Sequence, residues 1–417
     1  MSKPLVWLVA ALGVPYLFLL AASGIFGADE PRYAAIAHQM AASGDWITPT
    51  LWGEAWFEKP PLTYWLIASF DRLGFSPDLA VRLPIALLGL GFLFALPSLE
   101  AAFVLGTSVG WLAISQVGVT DIPLSVCFNL WLLGMLRGRP WLAGVALGAA
   151  VLAKGLVPLV LGLPIALLYW REWRHWVACV FTAAPWYVAC YVVNGRAFFD
   201  EFIVRHHIQR FLSPDLQHVQ PWWFYLPVLL GLLFPWAPAL LKIRNPEKPY
   251  LYTALWGLFF LSVSTNKLPA YVLPLLPSLA ILIAPRLQRW HYSFAAGFLV
   301  LLPSAAPWLP TAIDEGLSKA SLPTTAWIWL LVSPVAAYLA WRWQRPAVVA
   351  AMAIAICCLK WQLYPQLERK VSAREVWLTQ HPTCVPDQES RGFRYSLFYY
   401  AGRELPLCSV EGRDQPR

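Results

Sequence analysis

Long apolar runs separated by brief polar stretches organise this chain. They lie near 5–25, 79–97, 101–118, 122–136, 140–153, 156–170, 176–193, 222–241, 250–264, 269–285, 291–309, 322–341 and 346–360. About 20 apolar residues cross a bilayer as a helix, so the pattern predicts about 13 transmembrane helices. The runs 101–118 and 140–153 are the shortest fits and contain glycine. Backbone groups in hydrocarbon must be hydrogen-bonded within their own segment, so the expected fold class is an all-α polytopic membrane protein. Two stretches depart from the pattern. PRYAAIAHQMAASGDW places Tyr33, Ile36, Ala37 and Met40 at helical spacing, which predicts a helix lying on the membrane surface. FEKPPLTYWLIASFDRLGF is too short and interrupted to span and reads as a second surface helix.

Charge orients the runs. Alternate short loops carry Arg137 and Arg139, then Arg171 and Arg174, then Lys242, Arg244 and Lys248, then Arg286 and Arg289, and finally Arg342 and Arg345. Only the turn around Glu100 lacks a basic residue. Short loops rich in Lys and Arg stay in the cytoplasm, which places the amino terminus there. Three larger pieces then fall outside: 26–78, 194–221 and the tail 361–417. Residues 1–360 form the expected transmembrane unit and 361–417 a small outer segment.

Composition agrees and narrows the function. The 417 residues are 59% hydrophobic and 13% charged, with mean hydropathy +0.55. Soluble domains run near half apolar and about a quarter charged, so an ordinary soluble enzyme is excluded. The net charge of +8 reads as loop charge that sets topology and meets anionic lipid, not as a nucleic-acid surface. The 24 tryptophans suit membrane–water interfaces. The opening MSKPLVWLVAALGVPYLFLLAASG mimics a signal peptide, but its apolar region exceeds the roughly 7–15 residues of a signal core, so it reads as a retained first span. Cys127, Cys179, Cys190, Cys357 and Cys358 lie in apolar runs and are expected to be buried. Cys384 and Cys408 stand in a polar tail and are expected to pair if it faces an oxidising compartment.

The ionisable groups gather on one face. Asp29 and Glu30 follow the first run, and Asp121 stands between the third and fourth. Lys154 and Lys267 occupy very short loops, and Glu58, Lys59, Arg205, His206, His207 and Arg210 lie in the larger ones. Ionisable groups at membrane depth are costly and mark functional sites. A carboxylate can accept a proton from an attacking hydroxyl, while Lys and Arg can neutralise a lipid-linked phosphate as it leaves. Plainer roles suit other residues. Glu30 orients its loop or caps the surface helix, and His206 and His207 serve as loop hydrogen-bonders. His218 with Trp222 and Trp223 makes an interfacial anchor, and Asp314 and Lys319 belong to a solvated loop.

An ordered series of segments carries a resemblance. GADEPRYAAIAHQMAASGDWITPTLWGEAWFEKPPLTYWL is followed by VTDIPLSVCF, LAKGLVPLVL, APWYVA, FIVRHHIQRFLSPDLQHVQPWWFYLPVLL, STNKLPAYVLPLLP and FRYSLFYYAGRELP. Together they resemble the bacterial lipid A aminoarabinose transferase and protein mannosyltransferase-like family, GT-C fold glycosyltransferases that use polyprenyl-phosphate sugars. The resemblance implies Asp29 as the catalytic carboxylate and Asp121 as the second acidic position. It implies Lys59, in the Glu-Lys-Pro-Pro motif, and Arg210 at the donor phosphate, with Lys154 and Lys267 joining them. Glu30, Arg32 and Glu58 become supporting residues. A divalent ion, with Glu58 and His206 as ligands, is allowed but not required. Arg-His-His at 205–207 departs from the Glu-His-Asn of the family, and the tail is shorter than the full-length enzymes' folded periplasmic domain.

The expected activity is inverting transfer of a sugar from a polyprenyl (undecaprenyl) phosphate to a periplasmic acceptor, such as lipid A or another envelope glycolipid, in the bacterial inner membrane. A protein O-glycosyltransferase of the same fold is the nearest alternative. A transporter or flippase of lipid-linked sugars would distribute charges along its pathway and repeat internally, and this chain does neither. A structural subunit would leave the one-sided charges unexplained. The loop charges generate a prediction: a reporter fused after Arg417 should be active only in its extracytoplasmic form. Activity of a cytoplasm-only reporter at that position would reverse the topology.

Overall fold

Proline, glycine and serine decide where the apolar runs become helices. The computed structural model describes residues 2–202, 205, 220–314 and 327–408. In chain order the first helices are α1 (Lys3–Leu17), α2 (Glu30–Ser43), α3 (Leu62–Arg72), α4 (Pro77–Phe92), α5 (Leu99–Gly106) and α6 (Val109–Ile114). Then follow α7 (Asp121–Leu136), α8 (Pro140–Lys154), α9 (Val157–Leu161), α10 (Leu163–Leu168) and α11 (Trp173–Phe199). A two-stranded antiparallel hairpin, Thr50–Leu51 with Glu54–Ala55, sits between α2 and α3. Later helices include Lys248–Val263, Leu276–Ile283, Trp327–Trp343 and Arg345–Lys370, and the tail holds Arg374–Gln380 and Arg391–Ala401.

Several expected spans are broken. The first run leaves helix at Leu17, well short of residue 25. The run 101–118 divides into α5 and α6 at Thr107 and Ser108, whose hydroxyls donate back to the Phe103 and Val104 carbonyls. The run 156–170 divides around Gly162, and 222–241 becomes Tyr225–Leu232 followed by a 3₁₀ turn at Ala237–Lys242. Such interruptions survive in a bilayer only where neighbouring protein satisfies the freed backbone groups. Among the described residues, four helical stretches are long and apolar enough to cross: Pro77–Ala95, Trp173–Phe202, Pro269–Arg286 and Arg345–Lys370. Shorter apolar helices include Lys3–Leu17, Asp121–Leu136 and Pro140–Lys154.

Packing centres on α8, which lies against α7 and α11. The close approach to α11 depends on glycine: a Cβ at Gly148 would stand 2.8 Å from the Cys179 carbonyl oxygen. Small residues at such crossings let backbones meet where no hydrophobic effect drives helices together. Trp111, Trp131, Trp236 and Phe103 are fully buried in the core. The Trp236 indole donates to Thr107 Oγ1 at 2.9 Å, which gives the break between α5 and α6 a second use. Cys127, Cys179 and Cys190 are buried, whereas Cys357 and Cys358 are only half-buried. Their helix packs along one side and leaves the other, with Ile354 and Trp361, exposed.

The helical hairpin of α7 and α8 separates two chemical zones. It runs from Asp121 to Arg137 and back to Lys154, so its ends are about 24 Å apart for 16 residues of α-helix. At the Arg137 end the basic loops meet. Arg137 donates to the Ala95 carbonyl at 2.6 Å, Arg286 to the Arg244 carbonyl at 2.7 Å, and Arg345 pairs with Glu100 at 2.6 Å. The base-free turn at Glu100 thus draws its cation from another loop. The surface-helix segment folds as α2, with Tyr33, Ile36, Ala37 and Met40 buried, and the FEKPP stretch gives the eleven-residue α3, which is too short to span.

In the tail, Val385, Leu397, Phe398 and Leu405 form a small core of their own, and Cys384 is bonded to Cys408. Closing a loop of about 25 residues stabilises a folded segment by roughly 3 kcal/mol in the chain-entropy view. Protein taken from an oxidising compartment should therefore resist alkylation at both positions until reductant is added. Free labelling of both thiols before reduction would refute the bond.

Candidate active site

The first cluster forms where α2 begins. Asp29 stands immediately before the helix, and Arg32 lies one turn later on the same face. The Arg32 guanidinium bonds the Asp29 carboxylate and reaches Glu58 at 3.1 Å, while its Nε donates to the Ala28 carbonyl at 2.9 Å. Glu58 also takes Lys59 Nζ at 2.8 Å. The result is an alternating chain of charge, Asp29–Arg32–Glu58–Lys59. Arg32 is covered by the rings of Trp56 and Tyr395, each centred 5.6 Å away. Burial opposes its positive charge, but Glu58 and Asp29 outweigh that effect and hold the guanidinium above its ordinary pKa. Burial, reinforced by these carboxylates, also pushes the phenols of Tyr33 and Tyr64 well above the usual range, so both remain neutral. Asp29 itself keeps 43% of its side chain exposed, against 8% for Arg32.

The second cluster joins two helix ends. Asp121 lies in the first turn of α7, where the positive end of the dipole favours a carboxylate. Lys154 lies in the last turn of α8, where a cation is favoured. Their side chains pair at 2.6 Å, and the Lys154 ammonium lies 4.5 Å above the Tyr271 ring. Gly155, at φ +68°, takes the backbone out of α8 directly after Lys154. Lys267 is 4% exposed and donates to the carbonyls of Gln220 and Ser264. Burial lowers its pKa.

The remaining sequence-stated positions divide clearly. Glu30 is buried and pairs with Arg82 at 2.9 Å, so it faces the protein interior rather than the open side of the site. Arg205 pairs with Glu201 at 3.6 Å. Arg210, His206, His207, His218 and Lys319 lie outside the described residues. Glu58, named as a metal ligand with His206, is engaged by Arg32 and Lys59, and no group of three His, Cys, Asp or Glu side chains converges among the described residues.

Three structural groups escaped the sequence reading. Arg82 stood unnoticed within an apolar run, although an ionisable residue there is itself a signal. Trp56 and Tyr395 reach Arg32 only after folding. The tail also grips the segment before Asp29. Arg374 pairs with Asp78 at 2.6 Å and Glu368 at 2.8 Å, and bonds the Ala21 and Ala22 carbonyls. Tyr400 donates to Asp78 at 2.6 Å and accepts from the Ile25 amide, while Ser396 donates to the Ile25 carbonyl at 2.6 Å.

No protein-family model matches the chain. Among curated relatives, the undecaprenyl phosphate-alpha-4-amino-4-deoxy-L-arabinose arabinosyl transferase 1 of Pseudomonas fluorescens strain Pf0-1 is 32% identical over 340 residues, 70% of this chain and 59% of that protein. The corresponding transferase of Pseudomonas aeruginosa strain UCBPP-PA14 is 34% identical over 337 residues, 69% and 61% respectively. This chain is a homologue of the aminoarabinose transferases. It matches about three-fifths of the length of these relatives. Its fold is the GT-C fold of ArnT from Cupriavidus metallidurans, solved bound to undecaprenyl phosphate. That match has a TM-score of 0.76 at 23% identity and covers 97% of this chain and 86% of that one.

The tail contacts yield a stability prediction. Arg374→Ala leaves Asp78 and Glu368 without their shared cation, and removing one partner of a buried pair costs about 3–5 kcal/mol. Arg374 is partly exposed, so the lower end is expected. A thermal unfolding transition unchanged by the substitution would show that the tail does not depend on this anchor.

Proposed function

We propose that the chain is a membrane glycosyltransferase that moves a sugar from a polyprenyl phosphate to an acceptor at the periplasmic face. The observation that carries this reading is Asp29, a half-exposed carboxylate held by a buried guanidinium within reach of the Glu58–Lys59 pair. Such a group can orient or deprotonate an acceptor oxygen for attack on the anomeric carbon, with inversion in a single displacement. Lys59 and Lys267, with Arg210, bind and neutralise the departing phosphate. Lys154 holds Asp121 and adds to the same positive field. These bases supply the charge that the leaving group needs, and a divalent ion is not required.

The relatives' names support an undecaprenyl phosphate-linked aminopentose as donor; lipid A or another envelope glycolipid is the acceptor in this proposal. In this reading residues 1–360 form the transmembrane catalytic unit with about 13 spans. The amino terminus is cytoplasmic, the loops 26–78 and 194–221 are periplasmic, and 361–417 is a short periplasmic segment over the site. The placement of the basic loops and the carboxylate clusters at opposite ends of the α7–α8 hairpin supports this orientation.

The test separates donor binding from acceptor activation. Asp29→Asn keeps the shape and removes the charge, so turnover should fall by about 10²–10⁴ while donor binding stays within a few-fold. Lys59→Ala should weaken donor binding and slow transfer together. Normal transfer by Asp29→Asn would shift the assignment to Asp121, and absence of any covalent transfer by the wild type would favour a transporter.

A further inference from the structure

We infer that Arg82 is a positioning residue for sugar transfer, acting through Glu30 to hold the Asp29 loop and the Asp121 loop at a fixed separation. The catalytic half of this inference rests on the transfer reading above, and the structural half on geometry alone. Arg82 lies in the second turn of α4 and is 2% exposed. A guanidinium carries five N–H donors in a rigid fork, and here all of its nitrogens are engaged. Nε donates to Glu30 Oε1 at 2.9 Å. One terminal nitrogen donates to Glu30 Oε2 at 3.0 Å and to the Gly24 carbonyl at 2.9 Å. The other donates to the Ser23 carbonyl at 2.7 Å, the Leu20 carbonyl at 3.2 Å and Ser23 Oγ at 3.3 Å. The fork therefore grips Glu30 at both oxygens and gathers the irregular backbone that follows α1.

Glu30 extends the connection. Its Oε1 also accepts the Gly118 amide at 2.9 Å, and its Oε2 accepts the Phe26 amide at 3.4 Å. One buried carboxylate thus joins the turn before α2 to the turn before α7. It is the direct neighbour of Asp29, and Gly118 stands three residues before Asp121. The approach at 118 admits no side chain, because a Cβ there would lie 2.2 Å from Val81 Cγ1 on the residue next to Arg82. The two carboxylate clusters are consequently referenced to a single guanidinium. Lysine would keep the charge but concentrate its donors at one point, and it cannot span Glu30 and the carbonyls together. A displacement of about 1 Å in a reacting group can cost about 10²-fold in rate.

The test uses full-length protein in lipid nanodiscs, with Arg82→Lys and the milder Glu30→Gln, which keeps an acceptor for Gly118. With Arg82→Lys, amide hydrogen exchange should accelerate at least about tenfold in both 22–30 and 117–121, and with Glu30→Gln in the same direction by less. With a polyprenyl phosphate sugar as donor, kcat should fall about 10²-fold while donor KM changes by less than about threefold. In an Asp29→Asn background, Arg82→Lys should add less than about twofold, because both changes act through one step. A residue that merely stabilises the fold would lower activity in that background by its full factor. Faster exchange in only one of the two loops, unchanged exchange in both, or a full additional loss beside Asp29→Asn overturns the inference. If the wild type transfers no sugar, the transfer reading fails, and the paired exchange of the two loops still decides the connection.

Discussion

Arg32 lies between two carboxylates and two aromatic rings, and each neighbour limits what the others can do. A cation this deeply covered is tolerable only when compensated, and Asp29 and Glu58 compensate it from opposite sides. Asp29 is thereby fixed at the mouth of the cluster, while Glu58 is turned inward to hold Lys59. Trp56 from the hairpin region and Tyr395 from the tail keep water off the guanidinium. The start of α2, the Glu-Lys-Pro-Pro segment and the last described helix therefore share one electrostatic centre.

The rest of the architecture serves to bring such charges together from distant parts of the chain. The return of α8 along α7 carries Lys154 back to Asp121, and the two helices approach closely where Gly134 faces Ala143. The interruptions at Thr107 and Gly162 shorten helices, yet the Thr107 hydroxyl and the Gly162 amide stay bonded to the Phe103 and Pro158 carbonyls.

Much of this was legible in the sequence, and the reasons for the remainder are physical. Periodicity located the buried face of α2 because an amphipathic helix has a local signature, and the tail disulfide followed from the absence of other cysteines in polar surroundings. The breaks within apolar runs were harder to read, because hydropathy averages over a serine or glycine whose backbone geometry decides the outcome. Asp29, Glu58 and Lys59 stood out as motif residues and Arg32 as a supporting one, but that Arg32 joins Asp29 to Glu58 is visible only in the fold. Arg82 and Arg374 were missed because their value lies in partners more than 50 residues away. No local pattern encodes such contacts.

The grip of the tail on residues 21–25 also sets an order of events during synthesis. The Ile25 amide finds its partner in Tyr400, 375 residues later. At ribosomal rates of about 5–20 residues per second, that interval is roughly 20–75 s. For most of it the segment leading into Asp29 has its Arg82 contacts within reach, while the contacts supplied by the tail do not yet exist. A nascent chain can thus be largely inserted and still lack a finished site, which makes completion of the carboxyl-terminal helices the event that ends its immaturity.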